Sequence, residues 1–260
     1  MRTVLICHYE DRLNRAGMAR WLSSFSELAG VLVIREEGGR MRARIRREIK
    51  RTGMARFLDV LAFRLYYKLK LARKDAEAED RLLRAVEARF PPSTAPELIT
   101  PSPNSAASQQ FIREAAPDLM IARCKTLLAE RIFTIPRIGT FVMHPGICPE
   151  YRNAHGCFWA LSRRDMERVG MTLLRIDKGV DTGPVFGYFT YPYDERSESH
   201  IVIQHRVVFD NLDAIRAKLE EIYKGEAVPI ATAGRESAAW GQPWLTRYLA
   251  WKRDATANSR

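Results

Sequence analysis

Apolar residues along the chain fall into short continuous runs separated by amphipathic stretches. The opening run, RTVLICHYE, is rich in aliphatic and β-branched residues. A helical pattern follows over about Asn14 to Leu28, and a second apolar run, GVLVIREE, starts at Gly30. Such runs alternating with helices predict parallel strands buried on both faces, hence a doubly wound α/β fold. The rhythm returns after the turn-rich PPSTAP: ELIT as a strand, NSAASQQFIREAA as a helix capped by Asn104, and PDLMIA as a strand. It continues with IGTFVMH as a strand, the loop PGICPEYRNA, the helix HGCFWALSRRD and two β-like stretches, VGMTLLRID and PVFGYFTYPY. One long helix is expected over about Ser197 to Lys224, then a Trp-containing tail that frays at its end. The first βα turn has no GxGxxG, which argues against a dinucleotide there.

Residues 40–90 break the alternation. MRARIRREIKR, ARFLDVLAFRLYYKLKLARK and AEAEDRLLRAVEARF lack proline and are rich in helix formers, so two or three basic helices inserted into the α/β scaffold are predicted. Phe57, Leu58, Leu61, Leu65 and Leu69 recur near helical spacing with Arg and Lys between them. That pattern fits a core-facing helix, a contact with a second copy in a homodimer, or a helix lying on a membrane surface. The domain division expected is residues 1–225 as the α/β unit and 226–260 as a C-terminal tail.

Composition narrows the picture in two ways. Among 260 residues, 46% are hydrophobic and 28% charged, a globular balance, and the formal net charge is +11. Residues 35–90 carry 17 Arg or Lys against 9 Asp or Glu, so most of the excess sits in the helical insertion. A polyanionic partner for these helices is one consequence; a merely solvated helical face is the other. Cys7, Cys124, Cys148 and Cys157 form no CxxC pair and read as reduced thiols. With no membrane-spanning apolar stretch and no secretory leader pattern, a cytoplasmic protein is expected.

The chemistry-bearing segment runs from Pro117 to about Phe186. His144-Pro145, Pro149, Tyr151-Arg152 and Asp181-Thr182-Gly183 occur there in order, on predicted strand ends, a loop and a turn. His144 ends a predicted parallel strand, where ligands of α/β sheets gather, and Asp181 ends another. An imidazole and a carboxylate so placed suit proton transfer during attack of an amine on an acyl carbon, with His144 expected to move the proton and Asp181 to act as its electrostatic partner. In this composite the segment resembles the core of the folate-dependent formyltransferases, the group that includes glycinamide ribonucleotide transformylase, methionyl-tRNA formyltransferase and sugar N-formyltransferases. The resemblance implies a Rossmann-like formyltransferase fold, 10-formyltetrahydrofolate as cosubstrate and a primary amine as acceptor. It also implies a folate pocket formed by backbone around Arg123, Lys125 and Leu127 and around Gly179 and Val180. Asn104, Tyr151 and Arg152 are expected near the acceptor.

One position departs from the family pattern. An Asn whose amide donates to the formyl oxygen stands two residues before the His in relatives, and here that residue is Val142. Losing one oxyanion donor costs roughly 3–4 kcal/mol. Asn153, His155 and Lys125 are the candidate substitutes, and a relative that binds without transferring is the alternative. His144, Cys148, His155 and Cys157 match no usual zinc spacing, so no metal is expected. A single Asp-Thr-Gly would make an aspartic protease only as a dimer, which the α/β pattern disfavours. The segment after PVFGY is short for the RNA-binding barrel of the tRNA enzymes, so a small, for example nucleotide-linked sugar, acceptor is expected ahead of aminoacyl-tRNA.

Overall fold

In a computed structural model of the protein, residues 1–35, 49–50 and 52–257 are described. The basic positions Arg42, Arg44, Arg46 and Arg47 lie outside the described residues. Seven strands make one sheet: β1 (Arg2–His8), β2 (Glu27–Ile34), β3 (Glu97–Thr100), β4 (Leu119–Arg123), β5 (Gly139–His144), β7 (Met171–Arg175) and β8 (Val185–Phe189), in the order β3-β2-β1-β4-β5-β7-β8. The first five in that order pair in parallel, and β5–β7 and β7–β8 are antiparallel, so the sheet is mostly parallel as expected. A further pair, β6 (Arg152–Asn153) and β9 (Ala239–Trp240), joins the loop after β5 to the C-terminal region.

Why the strands read as continuous apolar runs is visible in their two faces. Leu5, Cys7, Val31, Val33, Leu119 and Ile121 point into one apolar cluster, while Val4, Ile6, Leu32, Ile34 and Met120 point into another. Period-2 alternation in a run apolar at every position requires cover on both sides. On the second face Ile112 and Ala115 of α4 (Ala106–Ala115) and Ile132 of α5 (Glu130–Phe133) provide it. The first face, with the larger core, is covered by α1 (Ala19–Ser23), α6 (Gly156–Ser162), α7 (His200–Phe209), α8 (Leu212–Lys224) and α9 (Leu245–Ala257).

From Met54 onward the helical insertion is one continuous run, with Gly53 non-helical just before it. It comprises α2 (Met54–Tyr66), a π-helical turn Tyr67–Leu71 and α3 (Ala72–Arg89). Phe57, Val60 and Phe63 are buried, whereas Leu58, Leu61, Leu65 and Leu69 are exposed. The core-facing reading of the leucine series is therefore corrected: the phenylalanines and Val60 take the core, and the leucines point away.

Three further expectations change. The helix foreseen over 197–224 is two helices, because Asn211 turns its amide onto the carbonyls of Val207 and Thr190, at 3.1 and 3.0 Å, and so interrupts the ladder. The cap of α4 is Ser105, whose hydroxyl accepts from the Ser108 N–H at 3.1 Å, and not Asn104. The boundary at residue 225 does not release a tail. Tyr248 and Trp251 of α9 are buried against Phe63, Phe158 and His200, and the Trp251 indole donates to Glu195 at 2.9 Å.

Trp251→Ala should therefore cost about 3–5 kcal/mol. For a chain of this size that lowers the thermal midpoint by roughly 6–15 °C, and a midpoint within error of wild type would mean that α9 is only loosely attached.

Candidate functional site

The loop between β5 and α6 folds back on itself until its two glycines touch. A Cβ on Gly146 would lie 2.5 Å from the Tyr151 carbonyl oxygen and 2.8 Å from the Gly156 Cα, and one on Gly156 would lie 2.5 Å from the Gly146 Cα. Only glycine fits at either end. Thr172 of β7, fully buried, fastens the loop to the sheet: its hydroxyl donates to the Gly146 carbonyl at 2.6 Å and accepts from the Cys148 N–H at 2.9 Å.

This fold-back delivers the Tyr151 carbonyl to His144, whose Nε2 donates to it at 2.7 Å. The other ring nitrogen, Nδ1, faces Asp181 Oδ2 at 3.4 Å. Both partners are acceptors, so the ring donates to both only when it carries two protons. Asp181 Oδ2 also accepts the Asn153 N–H at 2.8 Å. The Asp181 loop is tied from the other side by Arg152, which donates to the Val180 carbonyl at 2.8 Å and to Ser237 at 3.0 Å. His144 is buried, and it is Asp181 that lines a cavity of about 220 Å³ together with Cys148, Arg152, Thr182, Val185 and Arg235. Another cavity, of about 380 Å³, lies between α3 and the start of α7, lined by residues that include Asp75, Ser199 and Arg206 but neither His144 nor Asp181. Of the two, the smaller borders the imidazole–carboxylate pair, through Asp181.

The remaining expected site residues separate into those that face this region and those with other duties. Val142 packs against the apolar group Cys148, Leu174 and Val185, so no side-chain donor stands there. Asn153 lies beside Asp181 and gives one amide N–H to the Trp240 carbonyl, leaving the second. Leu127 is exposed on the loop after β4, and a salt bridge at 3.1 Å between Lys178 and Glu130 brings that loop alongside the Gly179–Val180 turn. Gly179 and Thr182 are both held by the Asp177 carboxylate, at 2.9 and 2.7 Å.

Tyr151 is corrected as a substrate contact: its ring is buried, stacked on Trp240 at 5.9 Å, and its hydroxyl donates to Asp165 at 2.7 Å. Asn104 is corrected likewise, since its side chain clamps the loop after β4 by donating to the Leu127 carbonyl and accepting from the Ala129 N–H, at 2.9 and 2.7 Å. Arg123 turns its guanidinium inward, to Asn14 Oδ1 at 2.8 Å and to the Met143 carbonyl. The Lys125 N–H donates to His8 Nε2 at 3.0 Å.

His155 belongs to a different group. Its ring packs on His200 at 5.5 Å and meets the Gln204 amide at 3.5 Å. Loss of hydration pushes the His155 imidazole down to about 4, with the Lys125 charge acting in the same sense. Burial holds His200 well below the usual histidine range, and its Nδ1 has no hydrogen-bond partner among the described residues. Residues that sequence reasoning passed over include Thr172, Trp240, and the Arg235–Glu150 pair, bidentate at 2.9 and 2.6 Å, which walls the cavity. The glycines of HPG and HGC were the only local signal of the fold-back; Trp240 and Arg235 lie more than 80 residues from their partners along the chain.

Comparison with known proteins gives the chain a family and a fold. Residues 73–210, just over half of the chain, match the family model described as formyl transferase. A methionyl-tRNA formyltransferase of Bacteroides fragilis is 31% identical over 149 residues, covering 52% of this chain and 46% of that protein. One from Halorhodospira halophila is 32% identical over 127 residues, covering 48% and 40%. The chain thus spans about half the length of the curated relatives it matches. Among solved structures, the phosphoribosylglycinamide formyltransferase of Anaplasma phagocytophilum superposes with a TM-score of 0.55 at 13% identity, covering 93% of this chain and 99% of that one. A sugar N-formyltransferase from a Shewanella species gives 0.56 at 11% identity, covering 98% and 88%. At such identities these two show a shared fold.

The neutral histidines set an acid limit. His155 stays unprotonated in the fold until about pH 4 but takes a proton near 6.5 when unfolded, so stability is full above about 6.5 and falls as pH drops towards 4. The slope is about 1.4 kcal/mol per pH unit for each such ring. His155→Gln should reduce that slope by about one proton in urea melts taken from pH 7 to 4; an unchanged slope would remove His155 from the acid response.

Proposed function

This chain belongs to the formyl transferase family, and on that premise we propose that it moves a formyl group from 10-formyltetrahydrofolate to a primary amine. The observation that carries the reading is the His144–Asp181 pair at 3.4 Å, with Asp181 lining a cavity. The exposed Leu127 and the adjoining Gly179–Val180 turn fit a flat, partly apolar cosubstrate edge, with backbone groups on both loops to pair with its polar atoms.

The amine nitrogen bonds to the formyl carbon, giving a tetrahedral oxyanion, and the bond from that carbon to the folate nitrogen then breaks. The proton lost by the amine goes to Asp181, and not to His144 as the sequence suggested, because Asp181 is the member of the pair that lines the cavity. The His144 ring behind it, anchored on the Tyr151 carbonyl, holds the carboxylate in place, and the proton returns to the departing folate nitrogen. With Val142 apolar, the oxyanion takes the free amide N–H of Asn153, whose backbone is already bonded to Asp181. His155 is the weaker candidate, because its ring is engaged with His200 and Gln204. The acceptor we favour is a small amine, in keeping with the limited volume beside Asp181. The sequence identity to methionyl-tRNA formyltransferases supports a second reading, aminoacyl-tRNA as acceptor.

The test is tetrahydrofolate release in the presence of nucleotide-linked amino sugars, other small amines or methionyl-tRNA. Release with none of them, while folate still binds, would turn the reading to a binding protein. In the active case, His144→Ala and Asp181→Asn should each slow single-turnover transfer by about 10²- to 10⁴-fold with the fold intact. Undiminished transfer in either variant would take the pair out of the mechanism.

Val142→Asn and Asn153→Ala decide the oxyanion donor. If Asn153 donates, its loss should slow transfer by about 10²- to 10³-fold, and Val142→Asn should gain nothing, because an amide forced among Cys148, Leu174 and Val185 is poorly solvated. A large gain in Val142→Asn with no loss in Asn153→Ala would show that the chain simply lacks a donor.

A further inference from the structure

The described residues leave one conspicuous surface without a partner. Met54, Leu58, Leu61, Leu65 and Leu69 are each between 39% and 69% exposed, and they account for five of the eleven large exposed hydrophobics among the described residues. Their spacing places Met54 to Leu65 along one face of α2. The π turn Tyr67–Leu71, wider than an α turn, keeps Leu69 in line with them. The stripe is about 22 Å long at 1.5 Å per residue. Single exposed leucines are ordinary, but an unbroken row on a helix is an interaction surface.

The helix is held in place by its other side. Phe57, Val60 and Phe63 are buried, and the Phe63 ring packs on Tyr248 of α9 at 5.1 Å. Asp59, the one acidic residue between Thr52 and Lys74, is turned to the protein, where it accepts from the Thr246 N–H at 3.1 Å and from the Thr246 hydroxyl. By helical periodicity Arg64 and Lys68 border the stripe on one side and Lys70 on the other. None of the three has a salt-bridge partner among the described residues. The charge of the segment has the same sign throughout: residues 40–74 contain 13 Arg or Lys and 2 Asp or Glu.

We propose that this face of α2 docks on an anionic lipid bilayer, with the leucines entering the interfacial layer and Arg64, Lys68 and Lys70 meeting acidic headgroups. An apolar row edged by cations is the pattern of a helix lying in the membrane plane. A second copy of the chain is the less favourable occupant, because a symmetric contact would bring the two sets of cations together, and the one acid on α2, Asp59, is already engaged with Thr246. A nucleic acid would use the cations and leave the leucines in water. The inference is independent of the proposed function, and its test needs no turnover.

The full chain is sedimented with vesicles of phosphatidylcholine alone and of phosphatidylcholine with about one third phosphatidylglycerol, at low and high salt. It should pellet with the second and not the first, and binding should weaken as salt rises. Leu58→Gln with Leu65→Gln should lower the affinity at least about tenfold. Lys68→Gln with Lys70→Gln should lower it about fivefold per charge. Circular dichroism checks folding, and Leu58→Ala with Leu65→Ala, which favours the helix more strongly, is the substitute should the glutamine pair unfold. Absence of pelleting would overturn the proposal. So would retention of full affinity in both leucine variants, since that is binding by charge alone, as to RNA. A wild-type dimer that those variants convert to a monomer would give the face to a second copy and overturn it as well.

Discussion

The site rests on one backbone contact, the approach of Gly146 to Gly156. A side chain at either position would collide with backbone within 3 Å. With both absent, the loop closes tightly enough that the Tyr151 carbonyl reaches His144 and the Asn153 N–H reaches Asp181. The strand end alone would leave His144 facing solvent with one ring nitrogen unengaged. Closure supplies its first acceptor, and the turn before β8 supplies the second. Asp181 itself sits at a φ of +52° and Asn153 at +75°, conformations that Asp and Asn tolerate better than most residues because their short side chains bond locally. The residue types at these corners therefore serve the backbone as well as the chemistry.

That closure also sets which member of the pair borders the cavity. Both ring nitrogens of His144 face acceptors, Tyr151 on one side and Asp181 on the other, which leaves neither facing an incoming amine. The carboxylate, with one oxygen fixed by His144 and Asn153, keeps its other oxygen for the cavity. The sequence order, His on one strand end and Asp on another, foretells the pair but not the order in which its members meet solvent. Solvent order is decided by which backbone folds across which side chain, here the loop 145–156 across His144.

Most of the scaffold was legible for a simple reason: strands buried on both faces must be apolar through their central positions, and residues 4–7 of β1, 31–34 of β2, 119–122 of β4 and 141–143 of β5 are. The antiparallel edge, β7 and β8, was found as strands without direction, because hairpin and crossover connections differ in length and not in residue pattern. Tyr151 and Asn104 misled because a polar group near a site and a polar group holding a loop look the same in sequence. Only the partner separates them, Asp165 for one and the Leu127 carbonyl for the other. The C-terminal helix was missed because its period is weak in isolation. Tyr248 and Trp251 are core residues only in the presence of Phe63, nearly 200 positions earlier.

Phe63 also explains how the helical insertion can carry a surface unrelated to the reaction. The insertion interrupts the chain between β2 and β3, yet its inward residues complete the same core that buries α9, and the π turn leads directly into α3, where Leu83 and Val86 join that core. Its attachment is therefore complete without Leu58, Leu61, Leu65 or Leu69. Those four stay between 39% and 69% exposed among the described residues, so much of their hydration cost persists there. A face so separated from both the core and the Asp181 cavity can be altered without changing either, so any effect of substitutions there reports on what the helix touches outside the chain.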